Sequence, residues 1–99
     1  MENWHYVMLI KRGKTYNKMT GAVVTRHVEN LRKLDDEGKL ERCGVSKGFP
    51  GVAGMVILKA DSMEEAKALC EREPLVVEGY ATYSLNAMQV ANRENNYLL

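Results

Sequence analysis

The side chains best suited to move a proton in this sequence are His27 and Glu73, which lie far apart along the chain. Around His27 apolar residues recur every three to four positions, so a helix would turn the imidazole toward the protein interior. Such a residue is either a core histidine, hydrogen-bonded to a backbone carbonyl, or a site histidine that accepts and returns a proton near neutral pH. Glu73 comes directly before Pro74, where a second helix should end, and is either a solvated carboxylate or one that turns toward the sheet edge and His27.

A second group of candidate residues, Arg12, Lys14 and Tyr16, lies in a polar and basic segment over residues 12–20. We interpret this segment as a long loop that steers a small anionic substrate, with these three side chains as substrate-binding residues. A nucleic-acid-binding loop and a merely solvated loop are the alternatives for the same charges. The Gly-Lys-Thr sequence of the loop does not predict a phosphate-binding loop, because that motif requires a glycine where this chain has Met8.

The elements that must position these residues follow from the hydrophobic pattern, which predicts the order β-α-β-β-α-β. Thr20 is a suitable N-cap for the first helix and Gly38 a suitable end, whereas Asp61 with Glu64 predicts the start of the second helix. The predicted strands cover residues 4–11, 40–43, 55–60 and 81–87, and the predicted helices cover about 21–37 and 62–72. The stripes expected to be buried are Val23, Val24, His27, Val28, Leu31 and Leu34 on the first helix, and Met63, Ala66, Leu69 and Cys70 on the second.

This order is that of a ferredoxin-like α+β fold, in which a four-stranded antiparallel sheet carries both helices on one face. The first and third predicted strands are apolar on both pleat faces, yet the pattern predicts no further helix for the second face. A second copy of the chain would cover that face without any new element, so we expect a homodimer that forms a dimeric α+β barrel. The length fits one domain over residues 1–99, with a C-terminal tail from about residue 91.

The composition argues against several kinds of partner. Fourteen basic and thirteen acidic side chains leave a net charge of +1, which gives no overall field for nucleic acid or for an anionic membrane. No apolar run approaches the roughly 20 residues of a membrane span and no signal segment opens the chain, so we expect a cytoplasmic protein. Cys43 and Cys70 lack metal-binding or redox spacing and are interpreted as reduced packing residues. We therefore expect neither a metal nor another cofactor, but a small-molecule ligand.

Four stretches of the sequence are informative in combination: the stretch from His27 through Gly38 to Leu40, Ala60-Asp61-Ser62 with Glu64-Glu65-Ala66, Glu73-Pro74, and Gly79-Tyr80. Together they resemble the YciI-like, or YCII-related, family of small bacterial proteins. The similarity extends from Trp4 to about Val90. It implies a ferredoxin-like αβ barrel that dimerises through its sheets, which agrees with the order of elements predicted from the pattern.

The resemblance also implies a site, in which a histidine of the first helix acts with an aspartate before the proline that follows the second helix. His27 matches that histidine, and Glu73, one methylene longer, stands at the acid position. The common Ala-Gly-Pro of the family after the second strand reads Cys43-Gly44-Val45 here. Relatives include dehydrochlorinases that act on hydroxylated aromatics, and the wider superfamily includes muconolactone isomerases and haem-degrading oxygenases.

These observations together predict a cofactor-independent lyase or isomerase. In it, His27 moves a proton on a small hydroxylated or carbonyl compound, and Glu73 orients the imidazole. One alternative is a non-catalytic dimeric protein that binds a small ligand or acts in a stress response. A second alternative is a haem-binding relative with His27 as the axial ligand.

Overall fold

The computed structural model describes residues 4–99 as a four-stranded antiparallel sheet with three helices. The strands are β1 (Trp4–Arg12), β2 (Leu40–Val45), β3 (Val52–Leu58) and β4 (Ala81–Gln89), and the helices are α1 (Gly21–Asp36), α2 (Met63–Glu71) and α3 (Pro74–Val77). The strands lie in the order β2-β3-β1-β4, so β1 and β3 are central. The predicted ferredoxin-like α+β fold is confirmed, with one short helix more than the pattern indicated. Residues 1–3 of the predicted domain lie outside the described range.

The core lies between the helices and one face of the sheet. Every second side chain of β1 is buried: Tyr6, Met8 and Ile10 are at most 5% exposed. These side chains lie on the face of β1 that the helices cover. Each side chain of this size contributes roughly 1.5–3 kcal/mol when it is fully buried. The other buried members of this cluster are Val23, Leu34, Ala53, Val56, Leu58, Ala66, Leu69, Cys70, Leu75 and Ala81.

The helix ends follow local capping chemistry. Thr20 caps α1 as predicted, because its Oγ1 accepts a hydrogen bond from the Val23 amide at 3.3 Å. The cap of α2 is Ser62 rather than Asp61, since the Ser62 hydroxyl accepts from the Glu65 amide at 3.1 Å. The Glu65 carboxylate in turn accepts from the Asp61 amide at 2.9 Å, and this backbone hydrogen bond lowers the pKa of that carboxyl. The capping residues therefore stand one position later than the sequence indicated.

The buried stripes of both long helices are narrower than the periodicity predicted. Val24 and Val28 on α1 are 42% and 44% exposed, and Met63 in the first turn of α2 is 42% exposed. In a two-layer fold a helix touches the sheet along one line only, so residues on the flanks of an apolar stripe stay in solvent. The predicted burial of these three side chains was wrong.

The connection between β2 and β3 is also shorter than predicted. Backbone pairing continues past Cys43, with Val45 opposite Gly54, and the Ser46 amide donates to the Ala53 carbonyl at 3.0 Å. The predicted loop over residues 44–54 therefore shrinks to a turn over residues 46–51. This extension of both strands brings the backbone of Gly54 close to the Gly44 carbonyl.

The second face of the sheet carries apolar side chains but no helix within the described residues. Val7 pairs with Ile57 and Leu9 with Met55 across β1 and β3, and all four are only partly shielded from solvent. We call these four residues the open face. No helix within residues 4–99 combines the length and apolar character needed to cross a membrane.

The close approach of β2 and β3 at Gly54 leads to a test of the fold. A Cβ atom at position 54 would lie 2.7 Å from the Gly44 carbonyl oxygen, whereas a Cβ at position 44 meets nothing within 4 Å. We expect Gly54→Ala to lower the free energy of unfolding by roughly 1–3 kcal/mol, because main chain must move to admit the methyl group. Gly44→Ala, the matched control, should change it by less than about 0.5 kcal/mol. Urea unfolding of both variants measures the difference, and equal losses would contradict the close approach of the two strands.

Candidate active site

The fold brings His27 and Glu73 together. His27 lies in the middle of α1 on the edge of its buried stripe, and its side chain is 22% exposed. Glu73 lies in the two-residue link between α2 and α3. The Nδ1 atom of His27 is 2.7 Å from Oε1 of Glu73, which is the distance of a charge-assisted hydrogen bond.

The Glu-Pro sequence dictates how the carboxylate is held. A residue before proline is restricted to extended backbone, and Glu73 has φ −62° and ψ 121°, the conformation of an N-cap. Pro74 at the first helical position has no N–H, so the first amide that the cap can satisfy is that of Leu75. Oε2 of Glu73 accepts this hydrogen bond at 2.8 Å, and each carboxylate oxygen therefore has its own donor.

Glu73 is an unusual residue in this molecule because it is charged and buried. It is 2% exposed and is the only charged or polar residue of the described chain in the buried class. A buried carboxylate is costly unless its oxygens are hydrogen-bonded, and both are. Within residues 4–99 no buried side-chain nitrogen or oxygen lacks a partner. The carboxylate is thus a fixed support behind the imidazole.

His27 also lines a pocket of about 270 Å³. The pocket lies between α1, the end of β1 and the paired ends of β2 and β3. Most of its wall is apolar or bare backbone, and its polar side chains come from four residues, Arg12, Tyr16, His27 and Cys43. The remaining lining residues are Ile10, Leu31, Gly44, Val45, Ala53, Gly54, Met55, Val56 and Leu75.

Two of the three predicted loop residues reach this pocket. Nη1 of Arg12 donates to the Val52 carbonyl at 3.3 Å, and the guanidinium carbon lies 5.5 Å from the centre of the Tyr16 ring. Tyr16 begins a short 3-10 turn and packs against the core. Lys14 is exposed and does not line the pocket, so the structure groups His27, Arg12 and Tyr16 with Glu73 behind them and leaves Lys14 apart.

Sequence reasoning missed the β2 and β3 wall of the pocket. Cys43 is exposed and lines it, so its interpretation as a packing residue was wrong, whereas Cys70 is buried. Burial raises the pKa of the Cys70 thiol to about 12. The signal for this wall was the departure at Cys43-Gly44-Val45 from the family's Ala-Gly-Pro, which marks the segment but does not show that it faces His27. Within residues 4–99 no three His, Cys, Asp or Glu side chains come together at metal-binding distance.

Comparisons with solved structures support the fold. The dehydrochlorinase of 5-chloro-2-hydroxyhydroquinone (TftG) from Burkholderia phenoliruptrix AC1100, solved with 2,5-dihydroxybenzoquinone, superposes with a TM-score of 0.71. It shares 15% identity, and the match covers 93% of this chain and 99% of that chain. A dimeric ferredoxin-like protein of unknown function from Thermobifida fusca YX gives a TM-score of 0.55 at 16% identity, covering 88% and 90% of the two chains.

Sequence comparisons establish the relationship. The uncharacterized protein YjpA of Bacillus subtilis (strain 168) is 34% identical over 74 residues, which are 75% of this chain and 81% of YjpA. The family model for the YCII-related domain matches residues 4–89, nearly the whole described chain. The resemblance seen in the sequence is confirmed, and the chain belongs to the YCII-related family.

Proposed function

We propose that this protein is a cofactor-independent lyase or isomerase in which His27 transfers a proton on a small hydroxylated or carbonyl compound. The observation that carries the proposal is the 2.7 Å contact between His27 and the buried Glu73 at the wall of an apolar pocket. A positioned imidazole backed by a carboxylate is a recurrent arrangement for general acid–base catalysis. The alternative from the sequence, a protein that only binds its ligand, is an outcome of the experiment below.

The hydrogen bond to Glu73 decides which imidazole nitrogen does chemistry. An ionised carboxylate has only acceptors, so Nδ1 of the neutral ring carries the proton that Oε1 accepts. The lone pair of the neutral ring is then on Nε2, the nitrogen left to meet a molecule in the pocket. His27 is the catalytic residue of this proposal, whereas Glu73 does not line the pocket and is a positioning residue.

Lyase and isomerase reactions start with the same proton transfer to His27. Nε2 takes a proton from a C–H or O–H group of the substrate, and the electron pair left behind forms a new double bond. In a lyase reaction, a leaving group departs with its own bonding pair. In an isomerase reaction, the existing double bond opens as the new one forms, and the imidazolium returns the proton to the carbon that receives the displaced electron pair. The pocket wall is largely apolar, and such low-polarity surroundings strengthen the electrostatic effect of Glu73 on the imidazolium.

Relatives support this class of reaction. The neighbouring structure with a TM-score of 0.71 is a dehydrochlorinase in complex with 2,5-dihydroxybenzoquinone. Loss of hydrogen chloride is an elimination, and it requires a base that removes a proton while chloride leaves. We therefore propose hydroxylated aromatic or quinone compounds as the first substrates to examine.

We also propose that the protein works as a homodimer, with the open faces of two copies packed together. Val7, Leu9, Met55 and Ile57 form an apolar patch in the middle of the sheet, and burying them against a second copy removes apolar surface from water. The Thermobifida fusca neighbour is described as dimeric. Met55 belongs both to the open face and to the pocket lining, so a second copy packed on the open face would lie next to the pocket.

The catalytic proposal is tested by proton exchange on a defined probe, 2,5-dihydroxybenzoquinone in D₂O. Exchange of its ring hydrogens requires one proton to be delivered to a ring carbon and another to be removed. We expect the protein to accelerate the loss of the C–H signal in NMR spectra, and His27→Ala to lower the accelerated rate by about 10² to 10⁴-fold. His5→Ala is the control. His5 is the other histidine of the sequence and lies near the start of β1, away from the pocket, so this variant should retain the rate.

Glu73→Gln should also slow the exchange, and the double variant should be scarcely slower than His27→Ala alone, because both changes break one unit. Binding of the quinone without any acceleration by the wild-type protein would favour the ligand-binding alternative. An acceleration that survives His27→Ala would remove His27 from the mechanism.

A second prediction concerns the protonation of the His27 ring in Glu73→Gln. The Leu75 amide needs an acceptor, so the glutamine oxygen should take the place of Oε2 and turn the NH₂ group toward His27. Nδ1 would then have to accept, and the ring proton would move to Nε2. The ¹⁵N spectrum of the neutral imidazole should show the protonated nitrogen change from Nδ1 to Nε2. Glu78→Gln, which removes a surface carboxylate paired with Arg26, is the control and should leave the ring unchanged.

A third prediction concerns assembly. Sedimentation at micromolar concentration should give about twice the chain mass of 11.2 kDa. Ile57→Lys places a charge in the middle of the open face and should give a folded monomer, because an unpaired charge in an apolar interface is unfavourable. Val24→Lys, at an exposed valine on α1, should leave the dimer intact. A wild-type monomer at these concentrations would show that the open face does not pair with itself.

A further inference from the structure

Arg12 is a solvent-exposed cation that lines the pocket. Its guanidinium is held by two neutral groups, the Val52 carbonyl and the Tyr16 ring. No carboxylate lies within 4 Å of it among residues 4–99, and no Asp or Glu lines the pocket. The positive charge of Arg12 is therefore oriented by the protein without being compensated by it.

Four other cations of the described chain have carboxylate partners. Arg26 pairs with Glu78 at 2.6 Å, and Arg72 pairs with Glu37 at 3.4 Å, although both pairs are largely exposed. Lysines 39 and 59 also have carboxylate partners. Arg12, like the remaining Lys and Arg side chains of residues 4–99, has no such partner, but among them it alone lines the pocket together with His27.

The geometry of the guanidinium limits which ligands can bind to Arg12. It has five N–H donors in a planar fork, and within residues 4–99 the Val52 carbonyl is the one hydrogen-bond acceptor that they reach. The remaining donors match two oxygens that lie in one plane and share a negative charge. The Tyr16 ring lies on the guanidinium at 5.5 Å and restricts its rotation out of that position.

We propose that Arg12 determines the ligand specificity of the pocket by binding a planar oxyanion that carries an apolar body. The anion is an aromatic carboxylate or an ionised hydroxyquinone, and its ring packs against the aliphatic wall at Ile10, Leu31 and Val56. This inference rests on the proposed function in that the anion occupies the same pocket and presents its reacting atom to His27. Arg12 also lies where negative charge on a substrate oxygen would be stabilised as His27 removes a proton.

The proposal predicts that, of two probes with similar shape, the pocket binds the anionic probe more tightly than the neutral one. Benzoate and benzamide are one matched pair of probes, and ionised 2,5-dihydroxybenzoquinone and neutral 2,5-dimethoxybenzoquinone are the other. Calorimetric titration of the full chain should show tighter binding of the anion in at least one pair. The pair that shows the preference identifies the source of the oxyanion, carboxylate or hydroxyquinone.

Substitutions at Arg12 then test the residue. Arg12→Gln should lower the ratio of anion to neutral affinity by roughly 10- to 100-fold, which is the usual effect of losing hydrogen bonds from a charged donor. Arg12→Lys should keep part of the ratio, because it retains the charge but loses the fork. Lys18→Gln removes a positive charge from the segment that follows β1, outside the pocket, and should leave the ratio unchanged. The ratio reports on charge alone, since a general change of pocket shape weakens both members of a pair.

The outcomes separate this inference from the catalytic proposal. The inference about Arg12 is overturned if neither pair shows tighter binding of the anion. It is also overturned if the preference persists in Arg12→Gln, or if His27→Gln and not Arg12→Gln abolishes it. Proton exchange by the wild-type protein without any charge preference would leave catalysis standing and remove the anion site. A preference that depends on Arg12 without proton exchange would leave an anion-binding pocket and remove catalysis.

Discussion

The arrangement of the site depends on the burial of one carboxylate. Glu73 is almost completely removed from water, and the effective penalty for burying an ion is several kcal/mol unless its hydrogen bonds are made. Its two donors come from different elements, the His27 ring on α1 and the Leu75 amide on α3. The carboxylate therefore ties the two helices together. Any displacement of one helix from the other would leave a charged oxygen without a donor.

The same requirement explains why a very short helix persists at this position. Four residues are too few for a stable isolated helix, so α3 depends on its surroundings. Pro74 sets the first backbone angle, the Glu73 cap satisfies the second amide, and Leu75 is buried in the core. The backbone conformation, the hydrogen bond and the core packing of these consecutive residues therefore all favour the same position of the Glu73 carboxylate.

The sequence predicted what depends on local chemistry and periodicity. It predicted the order of the strands and long helices, the cap at Thr20 and the candidate pair of His27 and Glu73, whose contact the structure displays. Features that depend on tertiary contact were not predictable in the same way. The exposure of Val24 follows from how far the sheet extends beneath α1, and the place of Cys43 in the pocket follows from strand pairing that continues beyond it. Neither is encoded in a repeat of residue types.

Gly44 and Gly54 line the pocket on the side of β2 and β3, and this has a consequence for how such a protein can diverge. At Gly54 the neighbouring strand lies too close for any side chain, so replacement there disturbs the sheet before it reshapes the cavity. New ligand preferences must therefore arise from the opposite walls, where Leu31 on the helix and Tyr16 in the loop can change without breaking strand pairing. Within this small pocket, the strand side at Gly54 therefore resists substitution, whereas the helix and loop side can vary during evolution.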